Sequence, residues 1–172
     1  MSQHFLLVTG AASGIGQQIA IQLSAIKNIV LVDKNTQGLQ ETLQRCNKHT
    51  MQLIFECDLE KAEKIKDSLS GFIARHQIGI ECFIHCAGIM KVMHMKNVDY
   101  QNSIQIFNVN FFSASEIVST LLKKKVNGQN LKNIVFISAI LSKFGARGHN
   151  LYSATKAALD GLMRSLALEL AP

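Results

Sequence analysis

The chain has 172 residues, 48% of them hydrophobic and 17% charged, which excludes a disordered chain and fits one domain, residues 1–172, with a sizeable core. No apolar run approaches the roughly 18 residues that a membrane-spanning helix needs, and Met1 to Val8 is too short and too soon followed by glycines for a signal peptide, so a cytoplasmic location is expected. The net charge of +6 suits an anionic ligand; the one compact basic run, Lys123 to Lys125, lacks interleaved aromatics and reads as a solvated helix end rather than a nucleic-acid patch.

Strand and helix signals alternate from the start. Phe5 to Val8 is a short continuous apolar run, as in a parallel strand covered on both faces. Ile15, Ile19 and Leu23 then repeat at helical spacing. Ile29 to Val32 reads as a second strand ending at Asp33, Leu39 to Cys46 as helix, and Met51 to Cys57 as a third strand. A charged helix is expected over about Ala62 to Arg75, and a fourth strand over Glu81 to Cys86. One long helix is expected from Ser103 to Lys125, a fifth strand from Asn133 to Ser138, and a last helix from Tyr152 to Leu170. Strands separated by helices of this length imply right-handed crossovers and a parallel, doubly wound α/β sheet of the Rossmann type.

The four cysteines, Cys46, Cys57, Cys82 and Cys86, form no CxxC pair. His85 beside Cys86 invites a metal reading, but small buried thiols in a reducing compartment fit better, and no metal is expected.

Thr9-Gly10-Ala11-Ala12-Ser13-Gly14-Ile15-Gly16 follows the first strand and opens the first helix. Gly10 permits a tight turn, Gly14 lets the backbone approach a pyrophosphate, and Gly16 lets the helix pack closely on the strand. With Ser13 and Ile15 they would set phosphates against free N–H groups at the positive end of a helix, so the motif in this context predicts dinucleotide binding. Asp33 falls 17 residues after Gly16, where a carboxylate accepts ribose hydroxyls and repels a 2′-phosphate; this favours NAD over NADP, although Lys34 follows directly. Asp58, with Leu59 after it, is either an adenine ligand or a helix N-cap.

Tyr152 and Lys156 are four apart on one helix and share a face. A free tyrosine with a pKa near ~10 is a poor proton donor and acceptor at neutral pH, and a neighbouring ammonium favours its phenolate. The pair is therefore a candidate acid/base device, with the lysine also able to hold ribose hydroxyls.

Taken together, TGAASGIG, Asp33, Asp58, Ala87-Gly88, Asn110 and YSATK resemble the short-chain dehydrogenase/reductase family in order and spacing over nearly the whole chain. The resemblance implies an oxidoreductase moving a hydride between NAD(P) and an alcohol or carbonyl substrate. Tyr152 would be the acid/base, Lys156 its partner, Asn110 the holder of a water in the proton relay, and Ala87 and Gly88 part of the cofactor wall. It also implies a homodimer or homotetramer through the long helices; Phe111, Phe112 and the Ala157/Leu162 face either serve that purpose or simply cover the sheet.

Three departures stand against the family pattern. The serine thirteen residues before the tyrosine is Ala139 here. Ser138 is the candidate replacement, but adjacent strand residues point to opposite faces, so it acts only if the strand end slips or bulges; Ser142 is more remote. The asparagine that ties neighbouring strands before Ala-Gly is Cys86, a poor substitute. The family continues with further strands beyond a point equivalent to Pro172, so the domain is expected to lack the usual last strands and to leave the fifth strand as a sheet edge. Two alternatives to the enzyme reading are a dinucleotide-binding protein with weak or no catalysis, and a fragment of a longer dehydrogenase.

Overall fold

The structure, a computed structural model, describes residues 3–171. Five parallel strands form one sheet in the order β3-β2-β1-β4-β5: β1 Gln3–Thr9, β2 Asn28–Asp33, β3 Gln52–Glu56, β4 Ile78–His85 and β5 Asn133–Phe136. Crossovers run through α1 Gly14–Leu23, α2 Thr36–Arg45, α3 Ile65–His76 and the long helical segment between β4 and β5. A last helix, α7 Asn150–Glu169, follows β5. This is the expected doubly wound α/β architecture, and β5 is an edge among the described residues.

Alternation within the inner strands explains why their sequences are apolar throughout. Phe5, Leu7, Val30 and Val32 face one layer, with Leu69, Phe72, Ile117 and Leu159. Leu6, Val8, Ile29 and Leu31 face the other, with Ala20 and Leu39. Both faces are buried, so neither can carry polar residues.

Two expected elements differ in detail. The charged helix begins with a 3₁₀ turn, Ala62–Lys64, before α3. The segment expected as one helix from Ser103 to Lys125 is α4 Tyr100–Phe107, a π turn at Asn108–Phe112, α5 Ser113–Leu121, and after a break a short α6, Lys124–Asn127. The π turn is marked by Ser113 N–H donating to the Asn108 carbonyl, five residues back. The break sits at Lys123, whose backbone is extended (φ −72°, ψ 115°), so the basic run straddles a chain turn.

No helix among the described residues is long and apolar enough to cross a membrane.

Candidate functional site

The site forms where β1 to β4 end, beside the turn between β1 and α1. Gly10 has φ +69°, and a Cβ there would stand 2.9 Å from the Ala87 nitrogen. A side chain on Gly10 would therefore push β1's exit away from the loop after β4. A Cβ on Gly16 would lie 2.3 Å from the Gly10 carbonyl oxygen, so α1 can start this close to the loop only with glycine. Around Gly14 the same construction meets nothing within 4 Å, which leaves that side of the loop open to a ligand. Ser13 caps α1 without a side-chain hydrogen bond, and the first turn holds no acidic residue. The helix thus presents free N–H donors and its positive end to the cleft.

That cleft is lined by the glycine loop with Ile15, by Asp33, Asp58 and Leu59, and by Ala87 and Gly88. The structure brings together every residue expected to hold a dinucleotide, apart from the Tyr152–Lys156 pair at its inner end. Asp33 is fixed at the rim: its Oδ2 accepts from Ala12 N–H at 3.3 Å and its Oδ1 from Asn35 N–H at 3.0 Å. Asn35 in turn caps α2 by accepting from Gly38 N–H. Asp58 caps a turn rather than a helix, accepting from Glu60 N–H at 3.2 Å; the 3₁₀ turn that follows is preceded by Lys61.

Sequence reasoning missed Glu60. Its Oε1 lies 2.5 Å from the Lys34 Nζ and its Oε2 accepts from Gln105 Nε2 at 2.9 Å, while its carbonyl accepts from Asn108 Nδ2 at 2.6 Å. The hydrogen bond from Lys34 holds the Glu60 carboxyl below its ordinary range, with Gln105 adding to the effect. Glu60 thereby occupies the cation beside Asp33 and joins the rim of the cleft to α4. No sequence signal marks it, because its partners are distant in the chain.

At the inner end, Asn110 is fully buried in the π turn. Its Oδ1 accepts from Ile89 N–H at 2.8 Å, and its Nδ2 donates to the Ile89 carbonyl and to Thr155 Oγ1, both at 3.0 Å. Both amide protons are spent on protein groups. The side chain therefore clamps the loop after β4 to α7.

Lys156 is buried, and its Nζ donates to the Ile137 carbonyl at 2.7 Å and stands 5.7 Å from the centre of the Tyr152 ring. A Cβ on Gly88 would be 3.5 Å from that Nζ, so the ammonium reaches the wall of the dinucleotide cleft. Burial lowers the Lys156 pKa, countered in part by Cys86 and Asp160. Tyr152, in the first turn of α7, is half-buried.

The backbone at Ala139 is extended (φ −150°, ψ 155°), beyond the β4–β5 register, which ends at Phe136. Ser138 lines a cavity with Asp160. Its buried hydroxyl is near enough to help hold that carboxyl below the ordinary range, after Ser142, but completes no hydrogen bond of full geometry. Ser138, Ala139 and Ser142 thus line one cavity with Asp160.

Cys57 and Cys86 line the cleft, and burial pushes both thiols up to about 11, well away from reactive thiolates. Among the described residues no three His, Cys, Asp or Glu side chains cluster as a metal site would need. His85 is fully buried, and burial, followed by the charge of Lys156, pushes its pKa down to about 3.

A family model described as short chain dehydrogenase matches residues 4–172. The chain is 31% identical over 171 residues to the 3-oxoacyl-(acyl-carrier-protein) reductase FabG of Buchnera aphidicola, covering 96% of this chain and 66% of that protein. It is 24% identical over 188 residues to a 3-ketodihydrosphingosine reductase of Dictyostelium discoideum, covering 97% of this chain and 55% of that one. The chain therefore spans between about half and two thirds of the length of these curated relatives. Among solved structures, a short-chain dehydrogenase from Streptomyces avermitilis superposes with a TM-score of 0.86 at 25% identity, over 100% of this chain and 62% of that one. A metagenomic short-chain oxidoreductase in complex with NADP superposes with a TM-score of 0.88 at 23% identity, over 99% and 77%.

Proposed function

Because the chain belongs to the short chain dehydrogenase family, we propose that it carries the cofactor and acid/base half of an NAD(P)-dependent oxidoreductase acting on an alcohol or carbonyl compound. The observation that carries this reading is the Lys156 ammonium, beside Tyr152, reaching the wall of the glycine-lined cleft at Gly88.

The cleft fits a dinucleotide by its own geometry. The open side of Gly14 and the free donors after Ser13 suit a pyrophosphate. Asp33, with both oxygens held by backbone donors, suits ribose hydroxyls, and Ala87 and Gly88 form a wall without bulky side chains. A bound nicotinamide supplies or accepts the hydride. Tyr152 passes a proton to the substrate oxygen in reduction and takes it back in oxidation. The Lys156 ammonium stabilises the phenolate charge and can hold ribose, while Asn110 keeps the loop carrying Gly88 in register with α7.

NAD is the favoured cofactor in this reading, because the fixed Asp33 carboxylate would repel a 2′-phosphate and the nearest cation, Lys34, is occupied by Glu60. The relative complexed with NADP is only 23% identical and bears on the fold alone. A cytoplasmic homodimer or homotetramer goes with the reading. Phe112 and Ala157 are exposed, Leu162 is half-buried, and Phe111 is half-buried and packs against the core.

The turn of Ser138 towards Asp160 favours a second reading, a dinucleotide-binding protein with little turnover. Hydride transfer with a panel of secondary alcohols and ketones, wild type against Tyr152→Phe, separates the two. Turnover lost in the variant with dinucleotide affinity kept supports the enzyme, and equal activity in both proteins overturns it.

A further inference from the structure

His85 closes β4 one residue before Cys86, the position where the family's strand-tying asparagine is missing. Its ring is fully buried and flanked by Phe83 and Phe136, with ring centres 5.9 and 6.4 Å away. Nδ1 lies 2.9 Å from Thr9 Oγ1, at the start of the glycine loop. Nε2 is buried without a hydrogen-bond partner.

The proton count around Thr9 fixes the ring. Thr9 Oγ1 accepts from the backbone N–H of Cys86 at 3.2 Å and of Ala87 at 3.3 Å. A hydroxyl oxygen has two lone pairs and one proton. Both lone pairs are used, so the proton goes to His85, whose Nδ1 must be bare. A neutral imidazole then carries its hydrogen on Nε2. That hydrogen is buried and meets no acceptor of hydrogen-bond geometry, so the ring is anchored through Nδ1 alone.

We propose that His85, held as the Nε2–H tautomer, is a positioning residue: by taking the Thr9 hydroxyl proton it leaves both lone pairs of Thr9 Oγ1 to the backbone of Cys86 and Ala87, and so ties the start of the phosphate loop to the loop after β4. It takes over, one residue earlier and through a longer side chain, the strand tie that Cys86 cannot make. Through Thr9 it sets Gly10 against Ala87. The inference concerning cofactor affinity rests on the oxidoreductase reading; the tie itself does not.

Nitrogen NMR of the histidine ring in the unliganded chain reads the tautomer directly. A bare Nδ1 with a protonated Nε2 is expected, and the reverse overturns the proposal. His85→Phe should raise amide exchange over Gly10 to Gly16 and weaken NADH binding about tenfold, the size of one lost hydrogen bond. His85→Asn keeps an acceptor for the Thr9 hydroxyl and should recover most of that affinity, a rescue that a merely space-filling histidine would not show. Thr9→Val combined with His85→Phe should be no worse than Thr9→Val alone; additive losses, or unchanged exchange and affinity in His85→Phe, overturn the tie. The tautomer and Thr9→Val decide the matter should His85→Phe misfold. Failure of the wild type to bind either NADH or NADPH sinks the oxidoreductase reading, while tautomer and exchange still decide the tie.

Discussion

The Lys156 ammonium stands one helical turn from Tyr152, 5.7 Å from the ring centre, and is held there by a 2.7 Å hydrogen bond to the carbonyl of Ile137 just beyond β5. The two residues share a helix face by spacing alone. The strand-end carbonyl is what stops the lysine from turning to solvent, and it ties the acid/base pair to the sheet that carries the cleft.

Lys156→Met tests this arrangement, because it keeps the length of the side chain and removes the charge. Burial disfavours the ammonium, so its loss should offset the broken bond to Ile137 and shift stability by no more than about 1 kcal/mol. Turnover should fall by roughly 10²-fold or more, the usual scale for proton-transfer machinery. Urea melts beside steady-state rates give the comparison, and a stable variant with undiminished rate would remove Lys156 from the mechanism.

Asp33→Ala addresses cofactor choice. With the carboxylate gone, its repulsion of a 2′-phosphate goes too, while Lys34 stays paired with Glu60 at that rim. The ratio of NADP to NAD affinity should rise about tenfold, a change of roughly 1.4 kcal/mol. Fluorescence titration with both reduced dinucleotides reads the ratio, and an unchanged ratio places the adenosine ribose elsewhere.

Two glycines should respond in opposite directions. Gly16→Ala sets a methyl 2.3 Å from the Gly10 carbonyl, so α1 must move off the loop; a loss of about 1–3 kcal/mol is expected, as for overpacking elsewhere, together with weakened dinucleotide binding. Gly71 sits within α3 with nothing within 4 Å of a notional Cβ. Gly71→Ala should stabilise the fold by roughly 0.5–1 kcal/mol through helix propensity. Chemical denaturation of both variants decides this, and equal effects would deny the close approach at Gly16.

How far the sequence could be read depended on the range of the interactions involved. The inner strands were legible because Phe5 to Val8 and Ile29 to Val32 are buried on both faces and so apolar without interruption. The glycine loop was legible because its spacing is local, with Gly16 answering to the Gly10 carbonyl six residues back, although Gly10 itself answers to Ala87 on a distant loop. The π turn was not, since apolar spacing at Ile104, Phe107 and Phe111 barely changes when one extra residue enters a turn. Glu60 and His85 stayed hidden for a different reason. Their meaning lies in partners such as Lys34, Gln105 and Thr9, which only the folded chain brings near. Asn110 was marked by resemblance, but its use of both amide protons on Ile89 and Thr155 is a tertiary fact.

His85 also predicts a pH dependence. Its pKa in the folded chain is about 3, against 6.5 ordinarily. Between those values the unfolded chain binds the extra proton, so stability falls as the pH is lowered from 6.5 towards 3. For a fully buried ring the total is at most about 5 kcal/mol. His85→Asn lacks this linkage. Its stability should therefore change less than the wild type's across that window, with carboxylates such as Glu60 and Glu81 contributing equally to both. Urea midpoints at a series of pH values give the two slopes, and parallel slopes would show that the ring is not buried neutral.

Ala139→Ser returns a hydroxyl to the position thirteen residues before Tyr152. Ala139 lines a cavity with Ser138, Ser142 and Asp160. A serine at this point restores the hydroxyl that the family pattern sets against the substrate oxygen. Turnover should rise by about tenfold or more, as one added hydrogen bond to a reacting oxygen allows, while NADH affinity stays unchanged because Ala139 does not line the dinucleotide cleft. Ser138→Ala should leave the rate as it was. A rise in the first variant with none in the second identifies Ala139 as the reason for slow chemistry. No change in either, with Tyr152→Phe also silent, is the outcome expected of a chain that binds the dinucleotide and does not turn over.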